Sequence, residues 1–385
     1  MIRLERLKNM EKYYQFSAPG RTEIGGNHTD HQHGCVLAAA VDLETVATVW
    51  PDDANQIRVQ SEGYPEVVVD LSDLSVREEE KNTTAALVRG VASAFSQRGA
   101  KLSGFRAQVR STVLPGSGLS SSAAFEVLMG TILNELFFDK KLSAIEIAQI
   151  GQYAENVYFG KPCGLMDQMA SSVGGMVYID FEDPANPVVQ KLDFDFRKAG
   201  YALCIVDSGA DHADLTEEYA AITGELKAVC RFFGKEYLRQ IPEEEFMAAL
   251  PALRKKVSDR AVLRAVHIYR ENDRVDAQID ALKRGDLDAF FRLVTASGRS
   301  SWMYLQNVNP ANAVKNQPVA FALALCDTLL NGKGAFRVHG GGFAGTVQAF
   351  VPLDMLEAFK KAIEENLGEG SCRVLNVRPC GGIQL

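Results

Sequence analysis

The chain has 385 residues, 46% of them hydrophobic and 23% charged, which is enough for about two packed domains and excludes a disordered, fibrous or disulfide-scaffold protein. Its formal net charge of −8 argues against broad nucleic-acid binding, which needs a basic face to neutralise phosphates, so any phosphate site must be local. Seven cysteines without a Cys-x-x-Cys pair, and an N-terminus without an apolar h-region, predict free thiols and a cytoplasmic protein with no membrane association.

In chain order, the first distinctive stretch is Ala18-Pro-Gly-Arg-Thr-Glu-Ile-Gly-Gly-Asn-His-Thr-Asp-His-Gln-His-Gly34, a polar, glycine-rich loop entering a sheet. Strands are expected at 45–49, 66–71 and 104–109, and apolar residues at helical spacing predict a helix over 83–98. The acidic run 78–80 reads as a solvated loop. Leu114-Pro-Gly-Ser-Gly-Leu-Ser-Ser-Ser-Ala-Ala124 then runs into a helical pattern over 125–138. Two readings of it stand. Gly116 and Gly118 permit a tight loop with close backbone approach, and Ser120, Ser121 and Ser122 stand at a helix start whose unpaired amides suit a phosphate. Equally, this is a glycine turn followed by a serine-capped helix. It is not a Walker loop, since no Lys follows the last Gly.

A helix over 143–159 carries Ser143 and Glu146 as a capping pair, and Gly160-Lys-Pro-Cys-Gly164 stops it. A loop is expected to open at Gly164-Leu-Met-Asp-Gln168, followed by strands at 175–181 and 201–207, with a domain boundary near 198. Helical patterns fill 211–233, 259–293 and 317–330. A second glycine-rich turn spans 334–345, before a strand at 346–351, a helix at 353–367 and a strand at 372–377. Strands and helices mix without strict alternation, which favours α+β over a doubly wound sheet.

Three separated motifs, Gly20-Arg21 with His28-Thr29-Asp30, the 116–124 loop, and Gly340-Gly-Gly-Phe-Ala-Gly345, resemble the GHMP kinase superfamily and, within it, the galactokinase family. Glu155-Asn156, Cys163-Gly-Leu-Met-Asp-Gln168, Glu218-Tyr219 and Val377-Arg378-Pro379 extend the likeness across nearly the whole chain. The resemblance implies a two-domain fold: a ribosomal-protein-S5-like N-terminal domain over 1–198 and a ferredoxin-like C-terminal domain over 199–385, with ATP and sugar between them.

By that resemblance, Gly116, Ser117, Gly118, Leu119, Ser120, Ser121 and Ser122, with Gly340, Gly341 and Gly342, hold ATP. Ser122 and Glu155 contact Mg²⁺, the expected cofactor, a hard ion suited to a hydroxyl, a carboxylate and waters. Asp167 is the expected catalytic base and Arg21 its partner, keeping it ionised. Asn27, His28, Asp30, Gly164 and Tyr219 are expected at the sugar, Asp30 on the C3 and C4 hydroxyls and His28 near C6. The implied reaction is ATP-dependent phosphorylation of the anomeric hydroxyl of galactose. The implied partners are ATP and a small sugar, and the oligomeric state is left open.

The chain departs from the family signature Asn-Leu-Ile-Gly-Glu-His-Thr-Asp-Tyr, reading Glu23-Ile-Gly-Gly-Asn-His-Thr-Asp-His31. Asn27 thus stands where a sugar-contacting Glu is expected, and His339 stands where Thr is common. A related substrate such as N-acetylgalactosamine or L-arabinose, a non-sugar alcohol, and a catalytically silent sugar and ATP sensor are the alternatives. The run of His28, Asp30, His31 and His33 also admits zinc ligation, although His28 and Asp30 are already used by the sugar-loop match.

Overall fold

The computed structural model describes residues 12–113, 118–210 and 215–385. Strand β1 (Tyr14–Gly25) pairs with the 17-residue β2 (Cys35–Pro51), and the turn between them holds the sugar loop predicted from sequence. Strands β3 (Gln56–Ser61), β4 (Val67–Asp70) and β5 (Phe105–Ser111) continue the sheet, β3 and β5 being its one parallel pair among the described residues. Strands β6 (Met176–Asp180) and β7 (Val188–Leu192) attach to the other end of β2.

Helix α1 (Thr84–Gln97) is capped by Thr83, whose hydroxyl accepts from the Ala86 amide. Helix α2 (Ser121–Phe137) is apolar around most of its circumference because it lies inside the domain, against β1, α1, α3 (Ala144–Tyr153) and α4 (Met166–Val173). Ser143 and Glu146 form the expected reciprocal capping box on α3. Past α3 the backbone widens into a π turn, Ala154–Phe159, closed by the Gly160 amide on the Glu155 carbonyl.

The second sheet is β11-β8-β10-β9, built from β8 (Tyr201–Asp207), β9 (Ala335–Val338), β10 (Thr346–Pro352) and β11 (Cys372–Leu375), all antiparallel. Helices α5 (Thr216–Phe232), α6 (Glu243–Leu253) and α7 (Asp259–Arg284) make a separate apolar cluster. Helix α8 (Leu287–Ser300) packs Phe290 and Phe291 on one face of the second sheet, while α9 (Pro318–Leu330) and α10 (Leu356–Leu367) cover the other. The last strand, β12 (Ile383–Gln384), returns to the first sheet beside β1. Arg378 joins that return through its amide on the Ala40 carbonyl.

Strands β3, β7 and β12 and helix α6 fall where the sequence suggested no element, and three further segments differ in kind. Residues 18–25 are strand, not loop: β1 is buried along nearly its whole length between β2, β12 and helices, so it lacks the polar and apolar alternation of a half-exposed strand. The segment expected to open as a loop at 164–168 instead starts α4 at Met166, which puts Asp167 and Gln168 on a first helical turn. The long pattern 259–293 is two helices, broken where Gly285 takes φ +69°.

Candidate active site

The three motifs meet where β1, the N-terminus of α2, the N-terminus of α4 and the loop after β9 converge. Arg21, on β1, forks onto Asp167: Nε reaches Oδ1 and Nη2 reaches Oδ2, both at 2.7 Å. Its third nitrogen, Nη1, donates to the Gly118 carbonyl, tying the loop before α2 to the same guanidinium. Burial opposes ionisation of Asp167, but the Arg21 charge and hydrogen bonds from Arg21 and Ser120 outweigh it and hold its pKa below the usual carboxylate value.

Ser120 adopts φ +60° and does not cap α2; its hydroxyl donates to Asp167 Oδ2 at 2.7 Å. Among the described residues no side chain caps this helix start, which leaves its first amides to an anion, as the cradle reading requires. Gly118 has φ +71°, and a Cβ there would lie 2.6 Å from Thr346 Oγ1, so the glycine is enforced by the approach of β10. Leu119 is buried and its carbonyl accepts from the Arg21 amide. Gly116 and Ser117 lie outside the described residues.

Ser122, one position into α2, donates to Glu155 Oε1 at 3.1 Å, and the π turn is what carries Glu155 to it. Lys161 Nζ is 3.3 Å from the same oxygen. Behind Glu155, the Gln168 amide donates to Glu155 Oε2 at 2.8 Å and to Glu126 Oε2 at 3.0 Å. Glu126 is wholly buried, with Oε1 unpartnered, and burial followed by the Glu155 charge pushes its pKa well up. A hydroxyl and a carboxylate, side by side at the start of a helix, fit Mg²⁺, which takes few protein ligands and keeps waters.

In the turn between β1 and β2, Asp30 sits against Gly164: a Cβ on Gly164 would fall 1.7 Å from Asp30 Oδ2. Burial, then the charge of Asp167, raises the Asp30 pKa to about 6, while the His31 amide, donating to Oδ1 at 2.9 Å, opposes the rise. Tyr219, on α5, lies across Gly341, where a Cβ would be 2.6 Å from its ring, and donates its hydroxyl to the Gly342 carbonyl at 2.9 Å. Gly340 and Gly342 have φ +64° and +78°, conformations that glycine adopts without strain.

Asn27 is fully buried and spoken for. Its amide donates to Glu23 Oε1 at 3.1 Å and to the Gly340 carbonyl at 2.6 Å, and its Oδ1 accepts from Asn307 at 2.9 Å and Ser301 at 3.3 Å. The carboxylate expected at 27 is found at 23 instead, where it pairs with the fully buried Arg337. Asn27 thus builds the wall of the loop rather than offering a free group to a ligand. The exchange was visible in the sequence as Glu23 and Asn27 in place of Asn and Glu; its partner Arg337, 314 positions away, was not.

His339, also missed as a contributor, is a buried strut: Nε2 accepts from the Glu23 amide at 3.2 Å, and Nδ1 meets Thr346 Oγ1 at 2.9 Å. The 28–33 histidines are engaged with one another and with protein groups, and no group of three or more His, Cys, Asp or Glu side chains among the described residues is placed to hold a metal. No described helix is long and apolar enough to cross a membrane.

Residues 86–175 match the profile described as GHMP kinases N terminal domain, and residues 7–51 match the galactokinase galactose-binding signature. Among solved structures, Lactococcus lactis galactokinase complexed with galactose superposes with a TM-score of 0.84 at 24% identity, covering 99% of this chain and 97% of that one. A D-glycero-D-manno-heptose 1-phosphate kinase from Bacteriodes thetaiotaomicron gives 0.65 at 16% identity, covering 97% and 99%. Methanococcus jannaschii mevalonate kinase gives 0.65 at 14%, covering 97% and 100%. The fold is thus the GHMP kinase fold over its full length. Both matched segments, the GHMP kinase N-terminal domain over 86–175 and the galactokinase galactose-binding signature over 7–51, lie on the elements that meet at this site.

Proposed function

We propose that the protein transfers the γ-phosphoryl group of ATP to the anomeric hydroxyl of galactose, giving galactose 1-phosphate. The observation that carries the reading is the placement of Asp30, on the galactose-signature loop, beside the Arg21-Asp167-Ser120 cluster at the uncapped start of α2. In the proposed arrangement the substrates lie between the 1–198 and 199–385 portions of the chain. The amides at the start of α2, with the 118–122 and 340–342 segments, hold the ATP phosphates. Ser122 and Glu155 would hold Mg²⁺, which supplies charge neutralisation to the phosphates when bound.

Asp167, kept ionised by Arg21, accepts the proton of the C1 hydroxyl as that oxygen attacks phosphorus. Arg21 also offsets charge on the transferring group. Asp30 accepts from sugar hydroxyls, and a misplaced hydroxyl would leave that half-buried carboxylate unpaired. His28, Gly164 and Tyr219 complete the sugar side.

The test is ADP release with Mg·ATP across galactose, N-acetylgalactosamine, L-arabinose, glucose, mevalonate and no acceptor, with the product identified by ³¹P NMR. Galactose 1-phosphate supports the reading. Turnover confined to another acceptor refutes galactose as substrate, and binding of galactose and ATP without ADP release points to a silent sensor.

A further inference from the structure

His31 and His33 stand in the sugar loop, yet neither has a place in the reaction above. Their contacts define one. His28 Nε2 lies 3.0 Å from the Gly341 carbonyl, His28 Nδ1 lies 3.1 Å from His31 Nε2, and His31 Nδ1 lies 3.3 Å from the Gln32 amide nitrogen. A carbonyl only accepts, so His28 must carry its proton on Nε2. Burial, and then the neighbouring His31 ring, keep His28 neutral, with its pKa down to about 3. A neutral imidazole with Nε2–H presents Nδ1 as an acceptor, so His31 must carry its own proton on Nε2. Its Nδ1 is then free to accept from Gln32, and every hydrogen bond in the chain has one direction.

This chain joins the loop bearing Asp30 to the glycine loop on which Tyr219 rests. The far end of the sugar loop is fastened separately. Gln32 Oε1 accepts from the Leu238 amide at 3.2 Å, and His33 stacks on Tyr237 with centroids 3.6 Å apart and planes at 19°. The bond from His31 to Asp30 uses the backbone amide, which a side-chain substitution leaves in place. Loss of the His31 imidazole therefore releases His28 and one of two contacts of the Gln32 amide, whose bond to the His31 carbonyl stays, without unfastening the loop or Asp30.

We infer that His31 is a positioning residue for the sugar: it fixes the tautomer and orientation of His28, and through His28 sets the spacing between the sugar loop and the third glycine loop. This inference rests on the sugar-kinase reading. His31→Leu removes the donor to His28, whereas His31→Gln restores an N–H near the Nε2 position.

The experiment uses ¹⁵N-histidine-labelled full-length protein. Long-range ¹H–¹⁵N spectra report the His28 tautomer, and steady-state kinetics with galactose and ATP are measured on the same samples. The expected result is a single Nε2–H tautomer for His28 in wild type and His31→Gln, and mixed tautomers in His31→Leu. The galactose KM rises roughly five- to tenfold in His31→Leu, the effect of one lost hydrogen bond, while the ATP KM and melting temperature stay close to wild type. An unchanged His28 tautomer and galactose KM in a folded His31→Leu, or a His31→Gln as impaired as His31→Leu, overturns the inference. Wild type inactive on every sugar overturns the kinase reading and the sugar role together; active wild type with an indifferent His31→Leu overturns this inference alone.

Discussion

Gly164 and Asp30 stand closer than any residue with a side chain could at position 164, since a methyl on Gly164 would meet the Asp30 carboxylate at 1.7 Å. The helix carrying the candidate base and the loop carrying the candidate sugar acceptor are thereby pressed together at a backbone. Gly164→Ala should push Asp30 aside. Misplacement on this scale lowers kcat/KM for galactose by about 10²-fold, while nucleotide affinity, measured calorimetrically without sugar, stays unchanged.

In the proposed reaction Asp30 also sets an acid limit. Its pKa is raised to about 6 by burial and by Asp167, and it must be ionised to accept from hydroxyls. The kcat/KM for galactose should therefore fall as pH drops through about 6, by roughly tenfold per unit. Asp30→Asn should have a lower plateau and lack this limb. A pH–rate profile on both proteins checks it.

Glu126 titrates in the opposite sense to a salt-bridged acid. With its folded pKa raised well above the unfolded value, the folded protein holds a proton the unfolded chain releases, so stability falls as pH rises above the ordinary carboxylate range. Glu126→Gln removes that dependence. Its melting temperature should match or exceed wild type, by a margin that widens from pH 5 to pH 8, as followed by calorimetry.

The Glu23–Arg337 pair is fully enclosed, and the carboxylate is the charged partner of a guanidinium that has no route to water. Glu23→Ala leaves a buried charge uncompensated and should cost about 3–5 kcal/mol in denaturant unfolding. Replacing both residues by apolar ones should recover part of that loss.

Local rules made the helices and the motif positions readable. Thr83 and Ser143 cap as their side chains suggest, and Arg21, Ser122, Glu155 and Asp167, read as far-separated motif residues, converge at one place. What escaped depends on partners distant in the chain. β1 looked like a loop because burial on both faces erased its period. Ser120 stood equally as a cap or as part of an anion cradle, and Asp167, 47 positions away, takes its hydroxyl. Asn27 looked open, but Glu23, Ser301, Asn307 and Gly340 close around it. Glu126 read as one more residue in a helical pattern, and only Gln168 and Glu155 reveal the buried carboxylate cluster behind Ser122.

In the proposed reaction Asp167, held ionised by Arg21, takes the proton from the sugar hydroxyl. The direct measurement is single-turnover ADP formation by wild type and Asp167→Asn with saturating Mg·ATP and galactose. The arrangement predicts sugar-dependent turnover in wild type and a loss of about 10²–10⁴-fold in the variant, with nucleotide affinity preserved. Equal turnover by the two proteins, or none by wild type, would contradict it.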